Sequence, residues 1–100
     1  MKTFHGFDEL LKVYKDLGVW WIFTKRGFIN NSREDILTGT FYVPENDDEE
    51  EESYATLANW LETQTFEGII INKLEHHPES SRDDLIEAAI YYLEQDDFLD

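Results

Sequence analysis

The residues with the greatest potential for chemistry form an acidic run, in which seven of the eight residues from Glu45 to Glu52 are carboxylates. Clustered carboxylates can bind calcium, or can pair as general acid and base in hydrolysis. A calcium loop places its ligands at alternate positions around a glycine, and this run has neither feature. Because the chain has 23 Asp and Glu residues, adjacent carboxylates follow from composition and do not indicate catalysis. We therefore expect neither calcium binding nor hydrolysis here.

The histidines and the nucleophilic residues predict no other active site. His76 and His77 are adjacent, so on a helix their side chains would point about 100° apart, and neither pairs with His5 at ligand spacing. The chain has no cysteine, which excludes disulfides, thiol nucleophiles and thiolate metal sites. A serine nucleophile elbow, a glycine-rich phosphate loop and an HExxH motif are also missing. The sequence predicts a protein without catalysis, metal or other cofactor.

The net charge of −15 is concentrated in the second half of the chain. From Met1 to Pro44, five acids and six bases give +1, whereas from Glu45 to Asp100 eighteen acids and two bases give −16. Charge of one sign on this scale opposes compaction and steers oppositely charged molecules towards the protein. Nucleic-acid binding needs a basic patch. We therefore expect no direct nucleic-acid contact, and we expect a positively charged protein as the partner.

The length and the hydropathy pattern predict one cytoplasmic domain over residues 1–100. No apolar run approaches the roughly 20 residues that a membrane span needs. The first residues also lack the basic and then apolar order of a signal peptide. We expect no membrane contact.

Three elements are predicted in the first half. Phe7 to Leu17 has apolar residues at helical spacing, early acids and a stop at Gly18. The stretch VWWIFT, residues 19–24, is β-branched and aromatic, which is typical of a buried strand. A second strand is predicted over Leu37 to Val43. The connection between the strands, residues 25–35, is predicted to be a long loop joining an antiparallel pair.

Three further elements are predicted after the acidic run. Apolar positions up to Leu61 indicate a helix capped by Ser53. Residues 66–75 are predicted to form another helix or, alternatively, a third strand. The final helix begins at Ser80 or Ser81, with Asp83 or Asp84 completing a capping box. The predicted fold is a small α+β domain of about four helices packed on an antiparallel two- or three-stranded sheet. The element order is α-β-β-α-α(or β)-α, with a mobile acidic loop at about 45–52.

The stretches VWWIFT, HHPESSRDDLIEAAIYYL and DDFLD resemble small acidic bacterial immunity proteins of contact-dependent growth inhibition systems. The likeness runs over most of the chain and transfers no functional residue. It implies a cytoplasmic inhibitor without catalysis that binds one cognate toxin, often a nuclease. The charge argument leads to a compatible function, because a nuclease presents a positive groove to its substrate. A nucleic-acid mimic that blocks a DNA-binding protein, an adaptor and a small-molecule enzyme are the alternatives.

Two groups of acids are predicted to meet the partner. The acidic run is predicted to steer encounters through Asp47, Asp48, Glu49, Glu50, Glu51 and Glu52. The second group surrounds the end of the last helix, where negative charge is unfavourable, and consists of Glu94, Asp96, Asp97 and Asp100 beside Tyr92 and Phe98. Either Lys25, Arg26 or Arg33 neutralises this second group, or it is held ready for cations of the partner. Trp60 is predicted either to contact the partner or to pack beneath the acidic loop.

Overall fold

A four-stranded antiparallel sheet forms the centre of the computed structural model, which describes residues 1–99. Its strands are β1 (Lys2–His5), β2 (Trp21–Thr24), β3 (Thr40–Val43) and β4 (Ala58–Glu62), in the spatial order β1-β3-β2-β4. The helices are α1 (Phe7–Leu11), α2 (Arg33–Thr38), α3 (Asp47–Thr56), α4 (Thr63–His76) and α5 (Arg82–Gln95). The predicted α+β class is confirmed, although the described chain has five helices and four strands.

The two faces of the sheet pack against different helices. Successive strand residues point to opposite faces, and Ile22 belongs to the main core together with Phe66 of α4 and Ile86 of α5. Its neighbour Phe23 is equally buried but lies outside that core, and its ring contacts Tyr54 of α3 edge to face at 5.1 Å. Helix α3 therefore packs on the sheet face opposite to α4 and α5.

Trp60 lies at the centre of an aromatic group in the main core and is only 3% exposed. Its ring centroid lies 5.0 Å from that of Phe41, 5.9 Å from that of Phe66 and 6.2 Å from that of Phe28. The indole Nε1–H donates to the backbone oxygen of Asn30 at 3.0 Å, so its one polar atom is satisfied. The prediction that Trp60 contacts a partner is therefore wrong, because the side chain is part of the core.

Several element boundaries differ from the predictions. The acidic loop predicted at about 45–52 is wrong, because α3 begins at Asp47, where the Asn46 side chain accepts from the Glu49 backbone N–H at 2.9 Å. The helix predicted up to Leu61 ends at Thr56, and the chain continues as β4 paired with β2. The first helix is shorter than predicted, and β1 and α2 were not predicted.

The antiparallel β2–β3 pair and the last two helices are confirmed. Residues 66–75 lie within α4, which resolves the choice between helix and strand in favour of the helix. Helix α5 begins with the predicted capping box, in which the Ser81 hydroxyl accepts from the Asp84 N–H and the Asp84 carboxylate accepts from the Ser81 N–H. The backbone N–H of Ser81, and then its hydroxyl, stabilise the Asp84 carboxylate and hold the pKa of Asp84 below its usual value.

Replacing Ser81 with alanine is expected to lower the free energy of unfolding by about 1 kcal/mol, because the first turn of α5 loses its side-chain cap. For a domain of this size the melting temperature should fall by roughly 4–8 °C, measured by circular dichroism. Ser80→Ala is the control, since the Ser80 hydroxyl donates to the His77 oxygen and does not cap the helix. Equal effects of the two substitutions would contradict the capping role.

Candidate functional site

The acids of α3 that face the protein are held by specific hydrogen bonds. Glu49 accepts from the Met1 ammonium at 2.9 Å and from the Glu45 backbone N–H at 2.9 Å. Glu50 accepts from the backbone N–H of Trp21 at 3.0 Å, which ties α3 to β2. Ser53, one turn later, is buried. These residues lie on one side of the helix and have a structural role.

The other four acids of α3 lie on the side of the helix opposite to Glu49 and Glu50. All four are exposed, and none forms a hydrogen bond or ion pair through its side chain with any residue between 1 and 99. We call this set the acidic row, and it consists of Asp47, Asp48, Glu51 and Glu52. Residues four apart on a helix are neighbours, and like charges at that spacing repel. The fold thus holds the four carboxylates in a fixed array without neutralising them.

The Glu49 contact with the Met1 ammonium shifts the pKa values of both groups. The hydrogen bond to the ammonium, and then that to the Glu45 N–H, hold the pKa of Glu49 below its usual value of 4.5. The hydrogen bonds to Glu49 and Glu45 raise the pKa of the Met1 amine above 8.0. A carboxyl group whose pKa is lowered by folding stabilises the fold at pH values above its usual pKa. This stabilisation is lost as the pH falls through the lowered pKa. The Met1 amine, whose pKa is raised, stabilises the fold below pH 8.0, and this stabilisation is lost as the pH rises through the raised pKa.

A matched pair of double variants should separate the two sides of α3. Each removes two negative charges, but Glu49→Gln/Glu50→Gln breaks the inward contacts whereas Glu51→Gln/Glu52→Gln relieves repulsion within the acidic row. We expect the melting temperature to fall for the first variant and to hold or rise for the second. The deficit of the first should shrink as the pH falls below 4.5 and through the lowered pKa of Glu49, where the carboxylate of the unsubstituted protein becomes protonated. A fall for both variants would show that the acidic row belongs to the fold.

In the second predicted group, at the end of α5, Glu94, Asp96 and Asp97 are exposed, and some of their carboxylates accept hydrogen bonds from this chain. Glu94 accepts from the Asn31 side-chain amide at 3.0 Å, and the Asp97 carboxylate accepts from the next backbone N–H at 2.8 Å. Asp96 is the helix C-cap, with a φ of 56° that Asp and Asn tolerate better than most residues. The rings of Tyr92 and Phe98 pack at 5.6 Å, whereas Asp100 lies outside the described residues.

The bases predicted to neutralise this second group do not pair with Asp96 or Asp97 within residues 1–99. Arg33 forms an ion pair with Glu87 at 3.2 Å. Arg26 donates to the Ala55 backbone oxygen at 2.8 Å, near the negative end of the α3 dipole. The surface beside α5 nevertheless has a base of its own, because Arg33 lines a groove of about 400 Å³ there.

The two predicted groups of acids are not brought together. Helix α5 packs on the main core, whereas α3 covers the other sheet face. A single flat partner surface therefore contacts one group or the other. The signal that could have located α3 is Asn46 followed three residues later by Glu49, which is the spacing of a helix N-cap and its N3 acid.

Within residues 1–99, no three Asp, Glu or His side chains lie close enough together to hold a metal ion. Within that part of the chain, no helix has the length and apolar character to cross a membrane.

A family model described as a domain of unknown function, DUF7716, matches residues 7–100. No curated protein and no solved structure matches the chain.

Proposed function

We propose that this chain, which belongs to the DUF7716 family of domains of unknown function, binds and neutralises a basic protein toxin through the acidic row of α3. The partner is a cytoplasmic toxin domain whose positively charged groove normally holds nucleic acid, that is, a nuclease domain. The protein acts by occupying that groove and performs no reaction of its own.

The observation that carries this proposal is that the acidic row lies on a folded helix and pairs with no base within residues 1–99. Exposed carboxylates of one sign raise the rate at which a positively charged protein is encountered by roughly 10- to 1,000-fold at low salt. Because the row is already ordered on α3, binding does not have to order a flexible segment first. Cations of the partner would also relieve the repulsion between Asp47 and Glu51 and between Asp48 and Glu52.

A nuclease domain suits this surface better than nucleic acid does. Affinity for nucleic acid comes largely from lysine and arginine contacts to phosphates, and the chain has only two such residues after Pro44. A protein that binds phosphates must present those same cations on its own surface. The resemblance to immunity proteins of contact-dependent growth inhibition systems supports the same class of partner.

Co-expression with a candidate toxin tests the proposal. An immunity gene is expected directly downstream of a large secreted-toxin gene, so the probe is the C-terminal domain encoded immediately upstream. We expect that domain to arrest bacterial growth alone, and this protein to restore growth and to block nucleic-acid cleavage by the purified domain. An unrelated secreted toxin domain is the specificity control. Growth arrest that persists despite soluble expression of both proteins would contradict the proposal.

A further inference from the structure

A groove of about 240 Å³ lies beside the acidic row, between α3 and the strands β2 and β4. The argument depends on five of its lining residues: two carboxylates, an aliphatic side chain and two aromatic ones. They are Glu50, Glu62, Val19, Trp21 and Tyr54. We propose that this groove receives one arginine or lysine side chain of the protein partner.

The fold holds the walls of the groove in place. The buried hydroxyl of Thr63 donates to the Gly18 oxygen at 2.8 Å and accepts from the Trp20 N–H at 3.0 Å, so the segment before β2 is fixed to the start of α4. On the opposite wall, the Tyr54 ring packs edge to face on Phe23. Because hydrogen bonds and ring packing fix both walls, the groove exists before any partner arrives.

The electrostatics of the groove favour a cation. Glu62 is exposed and its carboxylate pairs with no base in residues 1–99. One oxygen of Glu50 accepts from the Trp21 N–H, and a carboxylate retains further acceptor sites after one such bond. Burial first, and then the charges of Glu50 and Glu62, raise the pKa of Tyr54. The negative charges of Glu50 and Glu62 therefore both act within the groove that Tyr54 lines.

The size of the groove favours a single side chain over a small molecule. Small-molecule sites usually measure roughly 300–1,000 Å³, and this groove is smaller. Val19 is 69% exposed and Tyr54 is 50% exposed, so both offer apolar surface to the methylene stem of a long basic side chain. The rings of Trp21 and Tyr54 can lie against its charged end, as cation–π contacts require. No lysine or arginine among residues 1–99 lines the groove.

This inference rests on the proposed function, because it names the anchoring contact of the same basic partner. The acidic row attracts the partner at a distance, whereas the groove contacts one of its side chains directly. On α3, Glu50 and Tyr54 of the groove come three residues after Asp47 and Glu51 of the row. Residues at this spacing are neighbours on a helix, so the row and the groove can engage the same surface. The row should affect mainly association, and the groove mainly dissociation.

A short peptide tests the groove without the partner. The probe is the capped tripeptide acetyl-Gly-Arg-Gly-amide, and its neutral control has citrulline in place of arginine. Titrated into the ¹⁵N-labelled protein, the arginine peptide is expected to shift the indole N–H signal of Trp21 and leave that of buried Trp60 unchanged. Citrulline should shift neither signal. In Glu50→Gln/Glu62→Gln the Trp21 shift should be lost, whereas Glu51→Gln/Glu52→Gln should retain it.

Three results would overturn the inference. The first is an equal Trp21 shift with citrulline, and the second is an undiminished shift in Glu50→Gln/Glu62→Gln. The third is a Trp21 shift that follows protein concentration without peptide, because it would identify a second copy of this chain as the occupant. Glu62→Gln alone guards against misfolding of the double variant, since Glu62 makes no hydrogen bond through its side chain within residues 1–99.

The upstream toxin domain separates a failure of this inference from a failure of the proposed function. If the groove is right, Glu62→Gln should speed dissociation of that domain by about fivefold or more, because it removes a direct charged contact. A complex that forms normally and dissociates at the same rate in Glu62→Gln would overturn the groove and leave the proposed function intact. Absence of any complex would overturn both.

Discussion

Replacing Trp60 with alanine is expected to lower the free energy of unfolding by about 3–5 kcal/mol, the largest effect that we predict for the fold. The indole lies against three aromatic rings in the core and donates to the Asn30 oxygen. Its loss leaves a cavity and also orphans that backbone acceptor. Chemical denaturation, followed by circular dichroism, gives the free energy of unfolding.

Trp60→Phe is the second variant, since it fills most of the cavity and should remain folded if the alanine variant does not. Val19→Ala is the control, because Val19 is largely exposed and surface substitutions usually change stability by less than about 0.5 kcal/mol. A cost below about 1 kcal/mol for Trp60→Ala would contradict the core position of this residue.

Neutralising part of the acidic row is expected to slow partner association. With the upstream toxin domain at about 50 mM salt, Glu51→Gln/Glu52→Gln should reduce the association rate constant roughly threefold to tenfold, because long-range steering weakens. The dissociation rate constant should change by less than about twofold, since the row is exposed and contributes little once the complex has formed. Stopped-flow fluorescence gives the first constant, and surface plasmon resonance gives the second.

The matched control places the same charge change on the other face of the molecule. Asp96→Asn/Asp97→Asn also removes two carboxylates, and both substituted residues are exposed. If the row is the interface, this variant should associate almost normally. If it instead weakens binding by at least about 1.4 kcal/mol, a factor of ten, while the acidic-row variant binds normally, the interface lies at the end of α5 and our choice of α3 is wrong.

Local signals explain which parts of the fold could be predicted from the sequence. The capping box of Ser81 and Asp84 and the apolar spacing within α5 both act over a few residues. Within the stretch VWWIFT, Trp21–Thr24 form β2 because aromatic and β-branched residues fit a pleated, buried surface, whereas Val19 and Trp20 precede the strand. These elements agree with the structure because no distant contact opposes the local preference.

Distant contacts explain the errors. Tyr54, Leu57, Ala58 and Leu61 have helical spacing, yet α3 ends at Thr56 and the last two lie in β4. No glycine or proline marks this break, and only pairing with β2 favours the strand. The acidic run was predicted to be a loop because its charge suggested a solvated segment. Its division into inward and outward acids depends on Trp21 and Met1, which are remote in sequence.

The central claim is that the acidic row recruits a positively charged protein. Its most direct test is the association rate constant with the upstream toxin domain, measured from about 50 to 500 mM salt, where screening shortens the range of exposed charges. We predict that this constant falls steeply with salt, that dissociation changes little, and that Glu51→Gln/Glu52→Gln has a shallower slope. An association rate that is independent of salt, or an unchanged slope in that variant, would contradict the claim.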